Sequence, residues 1–340
     1  GKPELLDRVE RQLGKAGIRR SDAASKLARL LGDRLPVRPP APALNARSRA
    51  GRAVLAYIGQ HADEIIRYDP LVRQQVPDAV HQMRVATRRI RSALQVFGKV
   101  IDQDRARRLI GELKWLGDAL GPARDLEVLQ ERFVEATAAQ PVEEVVGPVQ
   151  QRFTRYFARR EADAADNVRA ALDDPRYFAL LNDIDTLLSD PPLTRRGRRR
   201  ARRELPRLIS RIDNKVTRRM RHANQQRPGS TREVALHDVR KAAKRLRYAT
   251  EVARPVLGKP ANRFRKRVKT VQQLLGEHHD AVVSRPVLRE IAMQAHLDGE
   301  NGYTFGLLHG QQSDVIHRIE DELPAAWRRL AARKQRRWLR

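Results

Sequence analysis

Residues 80–97 read VHQMRVATRRIRSALQVF, and residues 236–253 read LHDVRKAAKRLRYATEVA. The two stretches align without a gap at an offset of 156, which pairs His81 with His237, Arg84 with Arg240, Arg88 with Lys244, Arg89 with Arg245 and Arg91 with Arg247. Downstream, LKWLGDALGPARD (113–125) aligns on VKTVQQLLGEHHD (268–280) at an offset of 155. That register pairs Arg108 with Arg263, Lys114 with Lys269, Gly121 with Gly276 and Asp125 with Asp280. A repeat unit of about half the chain is too long for a solenoid and suits two tandem helical bundles. Duplicated halves of this kind usually pack about a pseudo-twofold axis.

On a helical wheel with His81 at the origin, Met83, Ala86, Ile90, Ala93, Leu94 and Phe97 fall in one apolar stripe, which is the candidate core face. His81, Arg84, Arg88 and Arg91 form a column along one flank, spaced 3, 4 and 3. The second copy repeats the pattern, with Leu236, Val239, Ala243, Leu246 and Thr250 inward, His237, Arg240, Lys244 and Arg247 in a column, and Arg245 on the opposite flank. Like charges at i,i+3 and i,i+4 destabilise a helix by a few tenths of a kcal/mol per pair, so a merely solvated helix would interleave acids. Neither column does.

Outward from the repeat, apolar residues recur at spacings of 3 and 4 nearly everywhere, which predicts an all-α chain. Breakers cut it at LPVRPPAPA (35–43), DPLVRQQVPD (69–78), GP (121–122), QPVEEVVGP (140–148), DPPLTRRG (190–197), RPGS (227–230) and GKP (258–260). The expected organisation is a helical segment and Pro-rich linker over 1–44, then a domain over 45–335 with bundles at about 45–190 and 200–335. The chain begins at Gly1 inside a helix-like pattern (Leu5, Leu6, Val9, Leu13) and reads as a piece of something longer.

With 69 Lys+Arg against 41 Asp+Glu, the 340 residues carry a formal charge of +28, while 41% hydrophobic content is enough for a folded core. The absence of Cys removes disulfides, thiolate metal sites and a Cys nucleophile. No apolar run approaches a membrane span and the N-terminus has no apolar signal core, so a cytoplasmic location is expected. Arg offers a planar fork to phosphate oxygens, Lys a point charge and charged His two donors. Two such columns across a bundle interface make a basic groove for an extended, repetitive polyanion. The Arg-rich run RRGRRRARR (195–203) has no apolar partner and reads as a solvated loop.

These residues resemble the CHAD domain, the conserved-histidine α-helical domain. The resemblance rests on the two copies of H-x-x-R-x-x-x-[RK]-R-x-R, on LGPARDLEVL and LGEHHDAVV, and on GYTFGLLHG near the C-terminus, covering about 45–335. It implies two four-helix bundles and binding of inorganic polyphosphate, with recruitment to polyphosphate granules. The positions it implies are His81, Arg84, Arg88, Arg89, Arg91, His237, Arg240, Lys244, Arg245 and Arg247, followed by Lys114 and Lys269. Arg108, Arg263 and one of His278 or His279 extend the groove by their place in the repeat. The copies depart where Arg124 stands opposite His279 and Val85 opposite Lys241. Residues 4–35, above all SKLARLLG (25–32), are similar to the end of a CYTH domain, which would make the missing upstream part a triphosphatase-type enzyme.

No catalytic residue, metal site or cofactor is expected in this fragment. Asp118, Asp125 and Asp280 show no paired-carboxylate spacing, Gly-rich phosphate loops are absent, and the first-copy counterpart of the EHHD run (277–280) is PARD. The rival function is sequence-independent binding to a nucleic-acid backbone, which composition cannot separate from polyphosphate. Only 5% aromatic content and no nucleic-acid-binding signature speak against it. Oligomeric state is not legible.

Overall fold

The computed structural model describes residues 3–17 and 43–339. The chain divides into two units, Gly1–Ala43 and Leu44–Arg340. In the first, helix α1 spans Pro3–Lys15. The CYTH-like segment SKLARLLG and nearly all of the Pro-rich linker lie outside the described residues.

The second unit is all-α. Its helices are α2 (Ala50–Arg73), α3 (Ala79–Phe97), α4 (Gln103–Ala119), α5 (Gly121–Ala138), α6 (Val149–Asp173), α7 (Pro175–Ser189), α8 (Ala201–Gln225), α9 (Ser230–Leu257), α10 (Lys259–Leu297), α11 (Tyr303–Ala331) and the short α12 (Arg333–Arg336). Each apolar stripe residue named above for α3 and α9 is buried. Burial of a side chain such as Ile90 or Leu246 contributes about 1.5–3 kcal/mol, which outweighs the repulsion within the cationic columns. One continuous buried cluster runs from α2 through α10 and on to α11, and a second, built on Phe133, Phe153, Phe157 and Phe305, joins α5 and α6 to α10 and α11.

The two repeat copies differ in how their third helix runs. In the first, α4 ends at Ala119 and α5 starts at Gly121, with Leu120 keeping right-handed helical angles between them. Pro122 lacks an N–H and crowds the carbonyl four residues back, which interrupts the ladder there. The second copy has Glu277 at that place and α10 continues unbroken for 39 residues. The Asp69-Pro70 breaker, by contrast, does not end α2, which continues to Arg73. Tertiary contacts override the local signal: the Asp69 carboxylate accepts hydrogen bonds from Arg73 and from the Tyr177 hydroxyl of α7.

The Arg-rich run 195–203 is a built corner rather than a free loop. Its backbone carbonyls at Gly197 and Arg199 accept from Gly51 and Ala50 at the start of α2, both at 2.9 Å. Glu204, 2% exposed, draws in Arg199 at 3.4 Å and Arg196 at 3.6 Å. A Cβ at Gly197 would overlap the Val100 carbonyl oxygen and press on Leu193, so only glycine fits. Gly197→Ala should therefore destabilise the protein by about 1–3 kcal/mol in urea unfolding while keeping its helical circular-dichroism signal. Gly111→Ala, where nothing lies within 4 Å, should be neutral or stabilising.

Candidate functional site

Helices α3 and α9 pack against each other around Tyr248, which is 1% exposed. Arg88 Nε donates to the Tyr248 hydroxyl at 3.0 Å. The guanidinium carbons of Arg88, Arg89 and Arg247 stand 5.8, 5.7 and 4.8 Å from the ring centroid. At the repeat offset the first copy has Ser92, also buried, so a single ring occupies the contact.

Each cationic column is anchored by the same ion pair in both copies. Arg84 Nη1 lies 3.0 Å from Asp125 Oδ1, and Arg240 Nη2 lies 3.4 Å from Asp280 Oδ1. The glycine paired by the repeat leaves room in each case. A Cβ at Gly121 would stand 3.6 Å from Arg84 Nη2, and one at Gly276 would stand 3.9 Å from Arg240 Nε. Burial raises Asp280 against the opposing pull of Arg240 and Lys244.

The two columns also feel each other. Arg240 is held below the ordinary arginine range by burial and then by Arg88 and Arg84, with Asp280 and Asp125 opposing. Arg91 is lowered by burial, Arg88 and Arg84, with Asp118 opposing. Lys244 makes no hydrogen bond or ion pair among the described residues. Burial first, and Arg240 and Arg88 next, push it down to about 6, so its amine is mostly neutral at pH 7 in the free protein.

Imidazoles close the N-terminal ends of the columns. His81 is lowered by burial and then by Arg124. His237 is lowered by burial and then by Lys241 and Arg240. The Nδ1 atoms of His237 and His279 approach to 3.1 Å, so one ring must donate and the other accept. Burial, then Arg240 and His237, push His279 down to about 3. His279 is thus the second-copy histidine that joins the cluster, whereas His278 is buried with Nε2 3.5 Å from Glu320. At the first-copy position of His279, Arg124 reaches back to Glu127 at 3.0 Å and Glu131 at 3.8 Å.

The structure does not treat the remaining sequence candidates alike. Arg89 lies 3.9 Å from Glu64 and 3.7 Å from Glu251, and Arg247 lies 3.6 Å from Glu251, so both are engaged by carboxylates that the repeat did not single out. Glu251 also accepts from the Tyr57 hydroxyl at 2.9 Å, and Glu64 Oε2 lies 2.7 Å from Nδ1 of the buried His61. Arg245 faces Arg219 of α8 and Arg91 of α3, which lower it further after burial. Lys114 is 69% exposed and tied to Asp118 at 2.7 Å. Arg108, Arg263 and Lys269 are exposed without a bonded partner among the described residues. Arg108 and Arg263 are 13 residues from Gly121 and Gly276, or ~20 Å along the helix, and are not part of the central cluster. Tyr248, Glu64 and Glu251 escaped sequence reasoning; for Tyr248 and Glu251 the available signal was their departure from the repeat, where the first copy has Ser92 and Gln95, and Glu64 had no such signal.

Among the described residues no group of His, Asp and Glu could hold a metal ion, and no helix is long and apolar enough to cross a membrane.

The chain resembles known proteins over most of its length. Rv2226 of Mycobacterium tuberculosis, strain H37Rv, an uncharacterized protein, is 35% identical over 335 residues, which is 98% of this chain and 63% of that protein. Its counterpart in strain CDC 1551 matches to the same extent. The chain thus spans less than two thirds of the length of these relatives. The crystal structure of the CHAD domain from the plant Ricinus communis superimposes with a TM-score of 0.66 at 26% identity, covering 88% of this chain and 98% of that one. PptA from Streptomyces chartreusis shares the fold with a TM-score of 0.67 at 21% identity, over 83% of this chain and 100% of that one. With the CHAD domain profile matching residues 56–289, across both copies of the histidine and arginine signature, the chain belongs to the CHAD domain family.

Proposed function

We propose that the chain binds inorganic polyphosphate along a basic groove formed by α3 and α9, and that it does so as a binding module rather than as an enzyme. The observation that carries this reading is the convergence of Arg84, Arg88, Arg91, Arg240 and Lys244 around three carboxylates, Asp118, Asp125 and Asp280. Two like charges about 8 Å apart at an effective dielectric near 20 repel by about 2 kcal/mol. A fold that keeps such a cluster under-neutralised has a standing electrostatic cost that a bound polyanion relieves. Asp125 and Asp280 are each held by an arginine, which leaves neither free as a general base. We read the halves as four-helix bundles, about 45–190 and 200–335, related by a pseudo-twofold axis; the matching pairs Arg84–Asp125 and Arg240–Asp280 support this. Association with polyphosphate granules is the cellular consequence of the reading.

Direct competition tests it. Labelled long-chain polyphosphate, at fixed and stated salt, should be displaced by unlabelled polyphosphate in preference to RNA, DNA or ATP, and log K should fall linearly with log salt. Combined Arg84→Ala, Arg88→Ala and Arg240→Ala should weaken binding by at least about tenfold with helical content retained, since Ala is the better helix former. Displacement by RNA or DNA at lower concentration would assign the groove to nucleic acid, and loss of the fold would make these arginines structural.

Binding should also take up protons. His81, His237, His279 and Lys244 all titrate below their ordinary values in the free protein, and a bound polyanion opposes the neighbouring cations that help to keep them neutral. Affinity should therefore rise as pH falls from about 8 towards 6, and calorimetric heats should depend on the buffer's ionisation enthalpy. Between pH 6 and the ordinary lysine value of 10.5 the unfolded chain binds the proton that folded Lys244 has released, so this residue costs stability increasingly as pH falls through that window. Lys244→Met should accordingly raise the urea midpoint, more at pH 7 than at pH 10, while reducing both affinity and proton uptake.

A further inference from the structure

The two flanks of the α3–α9 contact end in opposite chemistry. On the flank towards α2, Arg89 and Arg247 meet Glu64 and Glu251 beside a cavity of about 320 Å³ that Tyr57, His61, Arg254 and Arg265 also line. On the flank towards α8, the equivalent cations are Arg91 and Arg245. The position that the repeat pairs with Glu251 is Gln95, which is exposed and carries no charge. The helix facing this flank presents Lys215, Arg218 and Arg219 instead of an acid. Arg91, Arg245, Lys215 and Arg218 form no hydrogen bond or ion pair among the described residues.

These cations lie close enough to disturb one another. Lys215 is lowered by burial, then by Arg219, Arg245 and Arg218, with Asp238 opposing. Arg219 Nη1 donates to the Asp238 carbonyl oxygen at 3.0 Å, which fixes α8 against the start of α9 and aims the guanidinium along their junction. Asp238 is the acid nearest this tract, and its carboxylate is already shared between Lys241 at 2.6 Å and Arg219 at 3.8 Å. The neighbouring Asp118 is taken by Lys114. Positive charge therefore continues from Arg84 and Arg88 through Arg91 and Arg245 onto α8, while on the other flank Glu64 and Glu251 offset part of the charge of the arginines.

We infer that a polyphosphate chain longer than the central cluster leaves it in one direction only, over α8, along Arg91, Arg245, Lys215, Arg218 and Arg219. The inference rests on the polyphosphate reading and adds a determinant of chain-length preference outside the repeated signature. A short oligomer fills the Arg84, Arg88, Arg240 and Lys244 cluster and does not reach α8. A long chain gains the additional cations over α8, whereas towards α2 Arg89 and Arg247 are already shared with Glu64 and Glu251.

The test compares Lys215→Gln with Arg218→Gln, both at positions without a bonded partner, against Arg254→Gln with Arg265→Gln, which removes the same charge from the opposite flank. Dissociation constants are measured for tripolyphosphate and for long-chain polyphosphate at one ionic strength. The α8 variant should lose about fivefold to tenfold for the long chain and less than about twofold for tripolyphosphate, with the long-chain salt slope shallower by about 2. The opposite-flank variant should lose less than about twofold for both. Equal losses from the two flanks, or an unchanged long-chain affinity in the α8 variant, would overturn the one-sided path while leaving the central site intact. A wild-type protein that binds neither phosphate chain would overturn the polyphosphate reading and this inference together.

Discussion

Cation against cation, across the contact of α3 and α9, is the constraint on which the rest of the structure depends. The two helices present their most basic faces to each other, and Tyr248 makes that contact tolerable. Its buried ring offers a negative π-face to three guanidinium groups, and its hydroxyl accepts from one of them. Such contacts contribute about 0.5–2 kcal/mol each when desolvated, comparable with the repulsion they offset. Duplication alone would have placed a second large ring opposite the first. The first copy has the small, buried Ser92 at that repeat position, and a large side chain in a close-packed site would cost about 1–3 kcal/mol. The symmetry of the repeat is broken where the copies touch.

The acids then decide which of the cations stay available. Asp125 and Asp280 hold Arg84 and Arg240 in place, yet each pair keeps its arginine partly exposed. Glu64 and Glu251 act differently: they sit among Arg89, Arg247, Tyr57 and His61 and offset the charge of these two arginines. Lys244 has no ion-pair partner among the described residues, Asp280 opposes its lowering only weakly against burial and Arg240, and the neutral amine that results at pH 7 avoids most of the cost of a buried charge. The same signature residues therefore have three distinct fates, namely anchored, neutralised and uncompensated, set by partners that come from elsewhere in the chain.

That division explains what the sequence could reveal. The apolar stripes of α3 and α9, the all-α class and the family were legible because they depend on periodicity and on a repeat whose register survives in the positions that matter. The direction of each side chain around its own helix was legible for the same reason. Long-range partners were not. Arg89 meets Glu64 and Glu251 through the packing of α2 and α9 against α3, which no spacing encodes, whereas the pair of Arg247 with Glu251 lies at i,i+4 on one helix. His278 and His279 are adjacent and of one residue type, and only the burial of one face of α10 sends the first to Glu320 and the second to His237. Local breakers misled at Asp69-Pro70, where Arg73 and Tyr177 grip the aspartate and carry α2 onward, and the Arg-rich corner at 195–203 owed its order to the buried Glu204.

The departures between the copies have a physical direction. At the end of the first column Arg124 supplies a fixed charge that Glu127 and Glu131 partly offset. At the end of the second, His237 and His279 share a short contact that excludes charging both rings while no anion is present. Under the proposed polyphosphate reading, the ligand would meet a permanent charge at the end of the first column and, at the end of the second, a pair of imidazoles with Lys244 behind them whose charge it would itself induce. Induced charge costs nothing in repulsion until the ligand arrives, whereas fixed charge attracts from a distance and strains the empty fold. Under that reading the second copy, with His237, His279 and Lys244 against His81 alone in the first, would hold the larger share of inducible charge, an asymmetry that a perfectly symmetric duplication could not provide.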